Sequence, residues 1–105
     1  MPEWELFYSP LSCSDLDDIY DYIATELENI TAAQDTIKAI LDGAEELEEF
    51  PFIGSIVEGL PFVSDEYRFL GVHNYLIFYR LSKPRIFIDR ILYCKREYHT
   101  LLGLQ

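Results

Sequence analysis

The residues best suited to chemistry gather near the end of the chain: Lys95, Arg96, Tyr98 and His99. Lys95 and Arg96 can neutralise an anion. His99 titrates close to neutral pH, and the Tyr98 ring can stack on a base. All four follow directly on Arg85 to Tyr93, a run rich in Ile, Phe, Leu and Tyr that reads as a strand. Side chains at the exit of a packed strand are held in place yet reach solvent. A further basic candidate, Arg68, falls at the start of an earlier strand-like run. Two of them have a plainer use as well. Arg96 can pair with an acid, and Tyr98 with Leu102 can pin a last helix to a sheet. His73 reads as a turn residue and Arg90 as an ion-pair partner within the sheet.

The charge distribution supports the same end of the chain. The formal net charge is −11, which taken alone argues against an anionic partner. Residues 11–50, however, carry twelve acids against Lys38, whereas residues 68–105 carry seven bases against Asp89 and Glu97. Only the C-terminal part can therefore face an anion. The paired acids Asp17-Asp18 and Glu45-Glu46 read as solvated helix faces.

The elements that must position these residues are legible in order. With 105 residues, half of them apolar, the chain is long enough for one domain, 1–105, with a sizeable core. No apolar run approaches the roughly 18 residues of a membrane span. Met1-Pro-Glu-Trp-Glu lacks the basic start and apolar run of a secretory signal. Cys13 and Cys94 show no metal-ligand spacing, so reduced thiols, a cytoplasmic setting and no metal or other cofactor are expected. Trp4 to Tyr8 reads as a first strand, ended by Ser9-Pro10. Leu16, Ile19, Tyr20, Ile23, Leu27 and Ile30 follow the three-and-four spacing of one helix, with Asp15, Asp17, Asp18 and Asp21 in its first turns. Thr31 and Gln34 have the spacing of a capping box for a second helix, striped by Ile37, Ile40, Leu41, Ala44 and Leu47, with Gly43 allowing close packing. The short link makes an antiparallel hairpin. Residues 52–65 read as an ordered loop. Tyr67 to Val72, Tyr75 to Leu81 and Arg85 to Tyr93 form an antiparallel meander, and Lys95 to Leu102 fits a short final helix. The expected fold is α+β: a helical hairpin on a curved, mainly antiparallel four-stranded sheet, β-αα-βββ-α.

Four phrases in this order carry a resemblance. They are Ile-Tyr-Asp-Tyr-Ile at 19–23, Phe-Pro-Phe-Ile-Gly at 50–54, Asn-Tyr-Leu-Ile-Phe-Tyr-Arg at 74–80, and Arg-Ile-Leu-Tyr-Cys-Lys-Arg-Glu-Tyr at 90–98. Together they resemble the RelE/ParE superfamily, toxins of bacterial type II toxin–antitoxin (plasmid stabilisation) systems. The resemblance implies neutralisation by a cognate antitoxin and one of two activities. RelE-like members cleave mRNA on the ribosome as metal-independent endoribonucleases (mRNA interferases); ParE-like members inhibit DNA gyrase without nuclease chemistry. The first, mRNA cleavage on the ribosome, is the expected function, with gyrase inhibition the alternative; on it Arg96, His99 and Tyr98 are the catalytic candidates, and Lys95 and Arg68 bind substrate, because in-line cleavage needs charge neutralisation, a proton acceptor and a donor. Against it, Leu76 stands where RelE has an arginine after the central-strand Tyr, and Leu102 where RelE has a tyrosine. A third reading is an inactive module that keeps antitoxin binding only.

Overall fold

The structure, a computed structural model, describes residues 3–57 and 66–94. Its elements are β1 (Glu5–Tyr8), α1 (Pro10–Asp21), a π-helical turn (Tyr22–Glu26), α2 (Ile30–Glu46), β2 (Ser55–Ile56), β3 (Glu66–Val72), β4 (Tyr75–Ser82) and β5 (Arg85–Tyr93). The expected α+β fold holds, a helical hairpin on one face of a sheet. The sheet has five strands rather than four, in the order β1-β5-β4-β3-β2. β2 comes from the stretch read as a loop. Two residues are too short to show a period of two, so no pattern announced it. Pairing is antiparallel throughout except that β1 lies parallel to β5. The final helix expected at Lys95–Leu102 lies outside the described residues.

β4 is central, flanked by β5 and β3, and is buried on both faces. Tyr75, Ile77, Tyr79 and Leu81 join Ile86, Ile88 and Ile91 of β5 and Ile19, Ile23, Ala33 and Ile40 of the helical layer in the main core. Full burial of each large aliphatic side chain contributes roughly 1.5–3 kcal/mol. Leu76 and Phe78 point to the opposite face and pack with Phe69 and Cys94 in a second cluster. Gly43 permits the close approach of α2 to the sheet, since a Cβ there would sit 2.7 Å from Val72 Cγ2.

The helical layer departs from its simple period. The first helix starts at Pro10, six residues before the apolar stripe suggests, because Ser9 caps it: Ser9 Oγ accepts from Ser12 N–H at 2.9 Å. It does not run on to Ile30. At Tyr22 it widens into the π-turn, where Leu27 N–H reaches back to Tyr22 C=O. The wider turn accommodates an extra residue, so the stripe rotates away from the core. Ile19 and Ile23 are buried as expected, whereas Leu27, just past the π-turn, is exposed, and Ile30 is exposed as the first residue of α2. α2 is capped by Asn29, whose Oδ1 accepts from Ala32 N–H at 2.9 Å, rather than by the Thr31–Gln34 box. Thr31 lies inside the helix, two residues too late to act as its cap.

β5 carries a bulge. Phe78 pairs with Arg90 and Tyr79 with Ile88, which leaves Asp89 without an opposite residue. Three contacts lock this irregularity to α1. Ser9 N–H donates to Ile88 C=O, Ser9 Oγ donates to Asp89 C=O, and Arg90 reaches Asp15.

Candidate functional site

Arg90 leaves β5 toward α1 and meets Asp15 side-on. Its Nε and a terminal nitrogen donate to the two carboxylate oxygens at 2.8 and 2.9 Å, and Ile91 N–H donates to the same carboxylate at 2.9 Å. Asp15 is therefore not one of the solvated acids of a first turn; it is buried and fastens the last strand to the first helix. The Arg90 hydrogen bond, followed by the Ile91 N–H and the Arg90 charge, holds its carboxyl below the usual carboxylate range, while burial pulls the other way. Arg90 is an ion-pair partner as expected, but its acid lies on α1 rather than within the sheet. Asp89 pairs instead with Arg80 at 3.0 Å, and Arg80 also lies over the Phe87 ring. Together these contacts fix how the chain leaves the sheet. Cys94, the last described residue, is buried, and its N–H donates to Asn74 C=O at 2.7 Å.

Lys95, Arg96, Tyr98 and His99 lie beyond it, outside the described residues. Arg68 is described. It pairs with Tyr79 across β3 and β4, and its guanidinium donates to Phe52 C=O at 3.0 Å and to Gly54 C=O. It also lies 5.3 Å from the Phe52 ring centre. Tyr79, fully buried, works on the same loop: its hydroxyl donates to Pro51 C=O at 2.9 Å and accepts from Gly54 N–H at 3.0 Å. The Phe-Pro-Phe-Ile-Gly phrase is thus a loop held by hydrogen bonds from two strand residues. Gly54 is required there, because a Cβ would run into the Tyr79 hydroxyl and approach Phe69 C=O to 2.7 Å.

Leu76 is the more telling position. It is buried in the second cluster with Phe69, Phe78 and Cys94. A guanidinium placed there would be desolvated among aromatic rings, at a cost of several kcal/mol.

A groove of about 680 Å³ opens between the helical layer and the sheet at the His73-Asn74 turn. Tyr22, Leu27, Tyr75, Tyr93, Thr36 and Asp18 are among its lining residues. Tyr75 and Tyr93 meet edge to face, with ring centres 5.4 Å apart, and burial is the first cause raising the Tyr75 hydroxyl pKa. His73 holds a left-handed backbone, φ 56°, and serves as the turn residue expected. Sequence reasoning did not assemble this groove. Its tyrosines come from three separate elements, and Tyr22 and Tyr93 look like ordinary stripe and strand residues. Among the described residues no group of three or more His, Cys, Asp or Glu could hold a metal ion. Both cysteines are free thiols, as expected, with Cys13 exposed. No helix of the described residues is long and apolar enough to cross a membrane.

The sheet with its hairpin, the clamped last strand and the Tyr79-bound loop define a RelE/ParE-like toxin fold. The sequence profile of the ParE toxin of type II toxin–antitoxin systems, parDE, matches residues 6–98, and the chain belongs to that family. Nine chains of solved structures match. One, titled as a chromosomal ParDE TA system from P. aeruginosa, superimposes with a TM-score of 0.73 at 21% identity, covering 90% of this chain and 99% of the other. No curated protein sequence matches.

Proposed function

We propose that this chain is a growth-inhibiting toxin that acts by binding DNA gyrase in the cytoplasm and is held inactive by a cognate antitoxin. The carrying observation is Leu76. Where the nuclease members of the superfamily place an arginine, this chain places a buried apolar residue packed on Phe69, Phe78 and Cys94, so one of the charges needed to neutralise a scissile phosphate has no place there. Membership of the ParE family supports the same reading. The antitoxin faces the acidic helical hairpin, so its docking segment carries Lys and Arg and its binding weakens with salt.

The test is gyrase supercoiling in vitro with the purified chain, alongside mapping of mRNA ends after induction in cells. Inhibition of supercoiling that antitoxin relieves, with mRNA left intact, is the expected outcome. The second reading, ribosome-dependent mRNA cleavage by Arg96, His99 and Tyr98 with Lys95 and Arg68 on substrate, is favoured by the basic cluster after Tyr93. New mRNA 5′ ends with supercoiling unaffected would establish it instead.

A further inference from the structure

Apart from the groove and the end of β5, an exposed apolar run leads from the end of α2 into β2, the outermost strand of the sheet, with the Phe52 ring against Trp4. Phe50, Phe52, Ile53 and Ile56, crowded into seven residues, are 49, 58, 46 and 48% exposed. At about 100 Å² for each half-exposed large side chain, they present roughly 400 Å² of apolar area, the size that marks an interaction surface rather than scattered leucines. The loop that carries them is rigidly presented, since Tyr79 and Arg68 hold its backbone at Pro51, Phe52 and Gly54.

Two further features say what covers it. The first is the strand edge. β2 is the last strand of the sheet, with β3 on one side and no strand among the described residues on the other. Val57 N–H donates to Tyr67 C=O, so by the alternation of an antiparallel ladder the N–H and C=O of Ile56 point outward. Natural edge strands are guarded by charges, prolines or bulges. The opposite edge, β1, has an exposed Glu5 on the strand and Glu3 just before it. Among the described residues, β2 itself, Ser55 and Ile56, carries no charge or proline.

The second feature is charge. Phe50 to Val57 is a run of eight uncharged residues in a chain of net charge −11. Two copies repel each other through their acidic hairpins but can approach here. We propose that loop 50–56 and the β2 edge form a self-complementary surface through which two copies of this chain pair about a two-fold axis, β2 antiparallel to β2. The contact closes on itself, because both exposed edges are used and the β1 edges are guarded. Twice 400 Å² with a polar rim falls near the roughly 1,000 Å² floor of a specific interface, so the dimer is weak and reversible.

The experiment is analytical ultracentrifugation of the full chain freed of antitoxin, from about 1 to about 100 µM, the range of a micromolar pair. The wild-type mass should rise from 12.3 kDa toward twice that value. Phe52→Ser removes an exposed ring. Ile56→Lys adds a guarding charge, and Ile56→Pro removes an outward N–H while sparing the ladder to β3. Each should lower dimer affinity at least tenfold, Ile56→Lys with an unchanged melting temperature and Phe52→Ser with a slightly lower one, because its ring also meets Trp4 and Arg68; Ile56→Lys suffices if the proline variant folds poorly. A wild-type chain that stays at 12.3 kDa throughout, or variants that dimerise as well as wild type, overturns the proposal. So do variants that lose antitoxin or gyrase binding while the wild type is monomeric, because the surface then belongs to that partner.

Discussion

Replacing Asp15 with alanine should cost this protein about 3 kcal/mol. Three hydrogen bonds converge on that carboxylate, two from Arg90 and one from Ile91 N–H. Bonds to a charged group contribute about 1.5–3 kcal/mol each, and a buried partner left unsatisfied adds to the loss. The relevant exposures decide how much is recovered. The Asp15 side chain is 10% exposed and that of Arg90 40%. Solvent therefore rehydrates much of the freed guanidinium, while Ile91 N–H loses its partner at a buried residue. That places the total near the low end of the range for breaking a buried pair, about 3 kcal/mol. In a chain of this length 1 kcal/mol moves the melting temperature by about 5 °C, so the variant should melt about 15 °C lower at pH 7. The pH dependence gives a second handle. The folded-state pKa of Asp15 is lowered from 3.8. Its contribution is therefore fully present above that value and is lost as pH falls through the lower folded pKa. The gap between wild type and Asp15→Ala should be constant from pH 5 to 8 and should shrink below about pH 4. Circular dichroism melts of both proteins across that range provide the measurement. A gap of only a degree or two at pH 7, or one that does not narrow in acid, would refute the assignment of Asp15 as the clamp between α1 and β5.

Tyr79→Phe keeps the ring but leaves Pro51 C=O and Gly54 N–H without their buried partner, at a cost of about 2 kcal/mol by chemical denaturation; an effect below about 0.5 kcal/mol would show that water replaces the hydroxyl. Gly54→Ala should destabilise by roughly 1–3 kcal/mol because its Cβ meets the Tyr79 hydroxyl and Phe69 C=O, and its melting temperature should fall rather than rise. Asn29→Ala should cost about 1 kcal/mol through the lost cap on α2, with Asn29→Asp restoring most of it in the same denaturation assay. On the second reading, mRNA cleavage, Arg96→Ala should abolish growth arrest on induction while antitoxin pull-down and thermal melting stay near wild type; undiminished toxicity would remove Arg96 from that site.

What could be read in advance depended on how local the cause was. The three strands of the meander follow from dense runs of Ile, Phe, Leu and Tyr, and β4 reads as central because Tyr75 to Leu81 is nearly all apolar. The hairpin follows from two apolar stripes. The π-turn was hidden, because Leu27 keeps the helical period on paper while the backbone turns it outward. The parallel pairing of β1 with β5 joins segments about eighty residues apart and has no local signature. Asp15 looked like one acid among several, and only its approach to Arg90, 75 residues away, separates it from Asp17 and Asp18. For the candidate site, the role of Leu76 was visible as a missing charge, and the fold adds that a charge could not be housed there. The basic cluster after Tyr93 remains a reading of residue types. Arg68, read as a substrate contact, is seen holding the 50–54 loop.

The unpaired residue at Asp89 acts as a frameshift in the inside–outside code of β5. Before it, the even-numbered Ile86 and Ile88 face the helices; after it, the odd-numbered Ile91 does, and Leu92 turns out. A relative with no bulge here must therefore be aligned with a one-residue gap at 89. Without it, every downstream position would be compared with a residue on the other side of its sheet. Leu92 to Cys94 thus take their side of the sheet from an insertion rather than from their own hydrophobicity, and substitutions tallied there without the gap would mix two environments.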